Sequence, residues 1–387
     1  MSASATGAGR TYYPHIEGLR GVAALYVFIF HIWQTAIQHP ATATLSGLLP
    51  WTPFLQFGHF AVAAFIVVSG FCLGLPVAQR RAEDFRPLRF FARRARRLMP
   101  AYVAVVLLSV IPFCATGLLH GAHINPAHIA LAVALHLALV HNLSFAATEY
   151  LNGPLWSIAL ECQIYVVFAL LLVPAWRRFG LGAPLVLAAV AGFAPHFLTH
   201  SFDWTVPWLV VLFAFGVAAA DICARPALPA LPWNALAAGA AIVALAALVP
   251  YVDGEPDWYL WLPDLLVGAA FALFFVAAHR SERILPARVL STRPLVFVGT
   301  FSYSLYLIHA PLVDFVGALL WRVHATAAVS AAAWLALIPL VIAAAYAFYR
   351  VFERPFLSAG FRRAIDADVQ RTARAPHPAA FATEPAA

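Results

Sequence analysis

The chain has 387 residues, 63% of them hydrophobic, only 11% of them Asp, Glu, Lys or Arg, and a formal net charge of +7; its mean hydropathy is +0.82. Those values exclude a soluble globular domain, and the absence of short alternating segments excludes a transmembrane β-barrel. Apolar runs of ~20 residues recur along the chain, so the expected class is all-α, a polytopic transmembrane helix bundle.

Residues 1–13 are small and polar and read as a disordered tail. A first span is expected at about 16–37 and a second at about 57–78. The run from Val22 to Ile32 could pass for a signal h-region with Ala41-Thr42-Ala43 as its cleavage site, but Glu17 beside Arg20 spoils the positive flank, so cleavage is not expected. A basic loop, QRRAEDFRPLRFFARRARRLMP, leads to a third span starting near Pro100. Further apolar runs fall at about 154–174, 181–200, 204–222, 233–250, 259–278, 294–320 and 328–350.

Arginines set the topology. Those at Arg86 to Arg97, Arg177 and Arg178, Arg225, Arg280 to Arg293 and Arg350 onward sit between or after spans, where the positive-inside rule puts cytoplasmic segments. The rule is met if 128–148 is re-entrant. About ten spans result, with both termini cytoplasmic. Residues 358–387 read as a second disordered tail. The charge is thus a topology signal, and no nucleic-acid partner is expected. Cys72, Cys114, Cys162 and Cys223 show no CxxC spacing, so neither a metal site nor a disulfide framework is indicated.

Ionisable residues inside spans mark candidate chemistry, because the bilayer interior penalises them. Glu17, Arg20, His31, Thr35 and Gln38 fall within ~60° on a helical wheel. Arg20 and His31 are three turns apart, ~16 Å along one face. In NGPLWSIALECQIY, Ser157, Glu161 and Tyr165 share a face, and Glu161 should lie at a depth similar to His31. A carboxylate there could set the imidazole's tautomer, although an inter-helix structural pair is the competing reading. The arginine cluster before the third span either holds anionic lipid or clamps phosphates. In GTFSYSLYLIHAPL, Ser302, Tyr306 and His309 share a face that could bind a hydroxylated substrate; interfacial anchoring would also explain the tyrosine. YRVFERPF reads as an ionic latch of Arg350, Glu353 and Arg354. VVSGF is not a nucleophile elbow, because it lacks the flanking glycine and the strand.

Taken together and in this order, IEGLRGVAALYVFIFH, VVSGF, FFARRARRLMPAY, GPLWSIALECQIY, GTFSYSLYLIHAPL and YRVFERPF resemble the acyltransferase-3 family of integral membrane O-acyltransferases. The resemblance covers about residues 15–357, so 14–357 is expected to be one membrane acyltransferase domain. It includes an arginine followed eleven residues later by a histidine (Arg20, His31) and an RxxR element (Arg94 to Arg97, with Arg93 adjacent). Many relatives carry two adjacent glutamates where this chain has Glu161 and Cys162. Some relatives add a periplasmic esterase-like domain; a second step of that kind is expected to be missing or supplied in trans.

The resemblance implies transfer of an acyl group, commonly acetyl, from acyl-CoA to a hydroxyl of a carbohydrate, glycan, lipid-linked saccharide or secondary metabolite, with no permanently bound cofactor. His31 then matches the family's essential histidine and is expected to be the general base. Glu161 is expected to orient it or help bind the acceptor. Arg93, Arg94 and Arg97 are expected to hold the coenzyme A phosphates at the cytoplasmic mouth. Arg20, Ser302, Tyr306 and His309 are expected to line the substrate passage. Composition rich in Ala, Arg and Pro points to a bacterial inner membrane. A ping-pong route through an acyl-enzyme is an alternative. So is a secondary transporter using the same His, Glu and Arg as a relay, but neither inverted repeats nor paired broken helices are evident.

Overall fold

The structure, a computed structural model, describes residues 13–38, 52–79, 84–148, 150–199, 202–225, 231–249, 261–280, 284–360 and 362–363. The tails expected at 1–13 and 358–387 therefore lie almost wholly outside the described residues, as do the cleavage motif at 41–43 and the side chain of Gln38.

Among the described residues the chain is a helix bundle without strands. Helix α1 is Pro14–Gln38, α2 Gly58–Gln79, α3 Pro87–Leu119 and α4 Pro126–Leu137. Helix α5, Trp156–Val167, continues through a π segment at Phe168–Leu172 into Val173–Phe179. There follow α6 Gly182–Thr199, α7 Leu209–Ala224, α8 Trp233–Leu248 and α9 Trp261–Arg280. The last are α10 Leu285–Leu290, α11 Arg293–Thr300, α12 Ser302–Arg322 and α13 Ala327–Phe348, which runs into a π turn at Tyr349–Glu353.

Among the described residues, eight helices are long and apolar enough to cross a membrane, and α6 and α8 are shorter apolar helices at the two remaining expected positions. The protein is a multi-pass membrane protein. Its lipid-facing character is visible on α3, α6 and α8, where Ile111, Leu198 and Ile242 are 70%, 79% and 66% exposed. Such side chains meet acyl chains rather than water.

Two expected boundaries are corrected. The basic stretch before Pro100 is helix, not loop: α3 starts at Pro87, has 33 residues and carries Pro100 in its interior. Proline suits the first helical turn, and the arginines and alanines that follow are good helix formers. At ~50 Å, α3 exceeds the ~30 Å hydrocarbon core, so its first turns can carry arginines beyond it. The run 294–320 is two helices, α11 and α12, broken at Phe301. Hydroxyls divert the backbone there: Thr300 Oγ donates to Phe297 O at 2.7 Å and Ser302 Oγ to Gly299 O at 2.9 Å.

Helix α4 has 12 residues and is capped by Asn125, whose side chain accepts from Ala127 N. At ~18 Å it is too short to span. The chain then turns at Leu139, with φ 59°, and returns through a 3-10 turn at His141–Leu143. His136 and His141 stack at 3.8 Å, both fully buried. Burial, and then the neighbouring His136, push His141 down to about 3, so this pair packs as neutral rings.

Close backbone approach fixes the helices that carry the ionisable side chains. A methyl group at Gly299 would overlap the Glu17 carbonyl, so α11 lies directly against α1. The same holds for Gly70 and Gly216, which let α2 and α7 touch backbone to backbone. Small residues at such crossings are what membrane helices use to pack.

Candidate active site

Three cavities lie in file through the bundle. The first, of about 750 Å³, is lined by the arginine end of α3, with Arg86, Arg89, Arg93, Arg94, Arg96 and Arg97 facing Asp84 and Ser358. The middle one is narrow, about 120 Å³, and is lined by Arg20, Ser69, Glu161, Tyr165 and Ser302. The third, of about 340 Å³, is lined by His31, Gln34, His59, Trp156, Trp204 and Asp314. Cys72, Leu73, Arg94 and Arg97 line both the first and the middle cavity. Val62 and Tyr306 line both the middle and the third. The end cavities are of ligand size; the middle one is a waist.

The waist balances its charges. Arg20 Nη1 contacts Glu17 Oε2 at 3.3 Å. Glu161 Oε1 accepts from Tyr165 OH at 2.5 Å, and that hydroxyl also meets Ser69 Oγ at 3.1 Å. Glu353, 2% exposed, accepts from Ser304 Oγ at 2.6 Å and lies within electrostatic reach of Arg20 and Arg97. Three arginines (Arg20, Arg94, Arg97) thus meet three glutamates (Glu17, Glu161, Glu353) in and around the waist. The first cavity is different: six arginines line it with one aspartate, an excess of positive charge suited to phosphate.

At the far end of α1, His31 Nδ1 lies 2.8 Å from the Val27 carbonyl and 3.2 Å from His309 Nε2. The expected contact with Glu161 is not made. Glu161 lies in the waist and His31 in the third cavity, and the neighbour of His31 is His309 on α12. Equal depth on two helices does not make them face each other, and α1 packs against α12 here. His309 is itself fully buried and lines neither the waist nor the third cavity, so it does not stand on a substrate surface. Ser302 and Tyr306 do line the waist. Ser302 spends its hydroxyl on Gly299. Tyr306 OH meets Ser157 Oγ at 2.7 Å and donates to Pro154 O at 3.0 Å, which holds its ring at the join with the third cavity.

Two groups escaped the sequence reading, His59 and Asp264, and one was placed wrongly. Glu353 was expected in a surface latch, but the π turn carries it inward. His59 Nε2 contacts Asp264 Oδ1 and Oδ2 at 2.9 and 3.0 Å, and Trp208 Nε1 donates to Asp264 Oδ2 at 2.8 Å. Asp264 is 1% exposed. Both His59 and Asp264 are lone ionisable residues in apolar runs, the same signal that singled out His31. Among the described residues, no cluster of three or more His, Cys, Asp or Glu is placed to hold a metal ion.

Comparison with known proteins shows the family. The model of the acyltransferase-3 family, described as an acyltransferase domain, matches residues 13–350. BcsY of Komagataeibacter xylinus, a membrane-bound transacylase by name, is 27% identical over 314 residues, covering 76% of this chain and 72% of its own length. The peptidoglycan O-acetyltransferase OatA of Listeria monocytogenes is 24% identical over 337 residues, 79% of this chain and 50% of its own length. The O-acetyltransferase OatA of Staphylococcus aureus is 25% identical over 383 residues, 91% of this chain and 58% of its own length. The chain thus spans about half the length of the OatA relatives. No solved structure matches. The chain belongs to the acyltransferase-3 family of integral membrane O-acyltransferases.

Proposed function

We propose that the protein moves an acetyl group from acetyl-CoA, held at the arginine end, to a hydroxyl of a saccharide in the third cavity, with His31 as general base. One observation carries this reading: the arginine cavity and the His31 cavity each adjoin the waist and share wall residues with it. Arg93, Arg94 and Arg97 hold the coenzyme A phosphates. The uncharged acyl-pantetheine arm enters the charge-balanced waist past Arg20 and Glu161. Trp156 and Trp204 offer flat faces, and Gln34 and Asp314 polar groups, to a sugar. The acceptor class also draws on the peptidoglycan O-acetyltransferase among the relatives. The positive-inside rule puts the arginine end and both termini in the cytoplasm of a bacterial inner membrane, with the third cavity opening to the other side.

The chemistry balances within one step. The acceptor oxygen attacks the thioester carbonyl while its proton passes to His31 Nε2. The carbon–sulfur bond breaks, and the thiolate takes that proton to leave as free coenzyme A thiol. Purified protein should release thiol from acetyl-CoA when given a pool of cell-wall glycans. His31→Ala should lower that rate ~10²- to 10⁴-fold while still binding acetyl-CoA. The double variant Arg94→Ala, Arg97→Ala should instead weaken acetyl-CoA binding ~10-fold or more, since charge-assisted phosphate contacts are lost. Full turnover in His31→Ala would remove the base from this reading.

A further inference from the structure

A base must present an unprotonated nitrogen, and the neighbours of an imidazole decide which nitrogen that is. His309 Nδ1 lies 2.8 Å from the Tyr306 carbonyl and 3.2 Å from that of Leu305. A carbonyl only accepts, so Nδ1 of His309 carries the hydrogen, and its Nε2 holds a lone pair in the neutral ring. That lone pair points at His31 Nδ1, 3.2 Å away. His31 Nδ1 also faces a carbonyl, that of Val27, at 2.8 Å. Both neighbours of His31 Nδ1 are therefore acceptors, and Nδ1 bears the hydrogen. The nitrogen left for the third cavity is Nε2, with its lone pair available.

The two rings are also held in place. Their centroids are 4.8 Å apart at 62°, with Phe30 edge-on to His31 at 4.9 Å and Phe28 edge-on to His309 at 6.1 Å. Among the described residues, neither imidazole hydrogen-bonds a carboxylate. In a Ser-His-Asp triad a carboxylate performs this orienting task; here a second imidazole occupies its place.

We propose that His309 is the positioning residue of the base: its Nε2 joins the Val27 carbonyl in accepting from His31 Nδ1–H, fixes the ring with Nε2 left for the third cavity, and takes a share of the positive charge when His31 gains the acceptor's proton. The inference deepens the assignment of His31 as base and rests on it. It replaces a substrate-binding role for His309 with one exerted through His31.

Nitrogen-15 NMR of histidine-labelled protein in detergent reads the tautomer directly, at a pH where imidazoles are neutral. The chain has 15 histidines, and the His31 signals are those that vanish in His31→Gln. Wild-type His31 should carry hydrogen on Nδ1 alone. His309→Leu should leave that hydrogen on Nδ1, where the Val27 carbonyl still accepts it, but shift the His31 Nδ1 resonance because the second acceptor is lost. His309→Gln, whose amide oxygen can accept at the same place, should restore the wild-type shift. Acetyl-CoA turnover should follow: down ~10- to 100-fold in His309→Leu with KM within ~3-fold of wild type, and recovered to within ~5-fold in His309→Gln. Hydrogen on Nε2 of wild-type His31, or an unchanged His31 spectrum in His309→Leu, would overturn the proposal. Hydrogen on Nε2 in the wild type overturns it even if the leucine variant does not fold. Because the tautomer is read without substrate, a wrong acyl donor or acceptor shows itself separately, as silence in the turnover assay.

Discussion

Among the described residues, several ionisable side chains buried in this bundle are held by a specific neighbour, and the quality of that hold differs from site to site. Asp264 has the best: an indole N–H and an imidazole converge on its two oxygens. Removing the charge of one member of such a pair strands the other, which typically costs ~3–5 kcal/mol. Asp264→Asn should therefore lower the thermal midpoint in detergent markedly, while His59→Gln, which can still hydrogen-bond, should lower it less; equal midpoints for wild type and Asp264→Asn would show that the pair adds no stability. The sequence made some of these residues visible because charge in an apolar run is improbable without a task. Arg20 and His31 were found that way, Arg94 and Arg97 as a dense basic cluster before a span, and all four line the three cavities. His59 and Asp264 carry the same signal, but their pairing spans 205 residues, and nothing local links them. The expected pairing of His31 with Glu161 rests on a polar face along each helix and on matched depth. Depth fixes one coordinate of a side chain, whereas a contact needs the helix neighbours and their rotation as well.

At the scale of elements, hydropathy and hydrogen bonding end in different places. The apolar stretch of α3 begins near Pro100, yet its hydrogen-bonded helix begins at Pro87. Reading the helix from the hydropathy edge turned an ordered arginine face into a loop. The reverse error occurred at 294–320, where apolar character continues through Phe301 but the helix does not. The break has a purpose in the packing: α11 can lie against α1 at Gly299 while α12 departs to bring His309 beside His31. Because a Cβ at Gly299 would overlap the Glu17 carbonyl, Gly299→Val should push α1 away from α11. The expected result is loss of thioester turnover together with a lower midpoint in detergent, whereas Gly239→Val, at a position with open space, should leave both unchanged. A wild-type midpoint for Gly299→Val would mean that α1 is not held there.

For the whole molecule, the all-α polytopic class and the arginine-rich end were legible because both follow from composition along the chain. The cavities were not, because a cavity is a gap between helices that are remote in sequence. The waist is the clearest case: α1, α2, α3, α5 and α12 all line it, and Glu353 approaches it from the turn after α13.

The balanced waist has a consequence for how the protein meets the membrane potential. A charge carried across the bilayer gains or loses ~2.3 kcal/mol per 100 mV. In the proposed transfer, the acetyl group leaves one side as part of a neutral ester, and the acceptor's hydrogen leaves on the other as part of a thiol. The fixed arginines and glutamates stay where they are. The cycle is electrically silent, so turnover in proteoliposomes should not change when a potassium diffusion potential is imposed with valinomycin. A rate that rose or fell with voltage would mean that a proton or ion crosses alone, as in a transporter, and that the waist conducts charge rather than a neutral acyl arm.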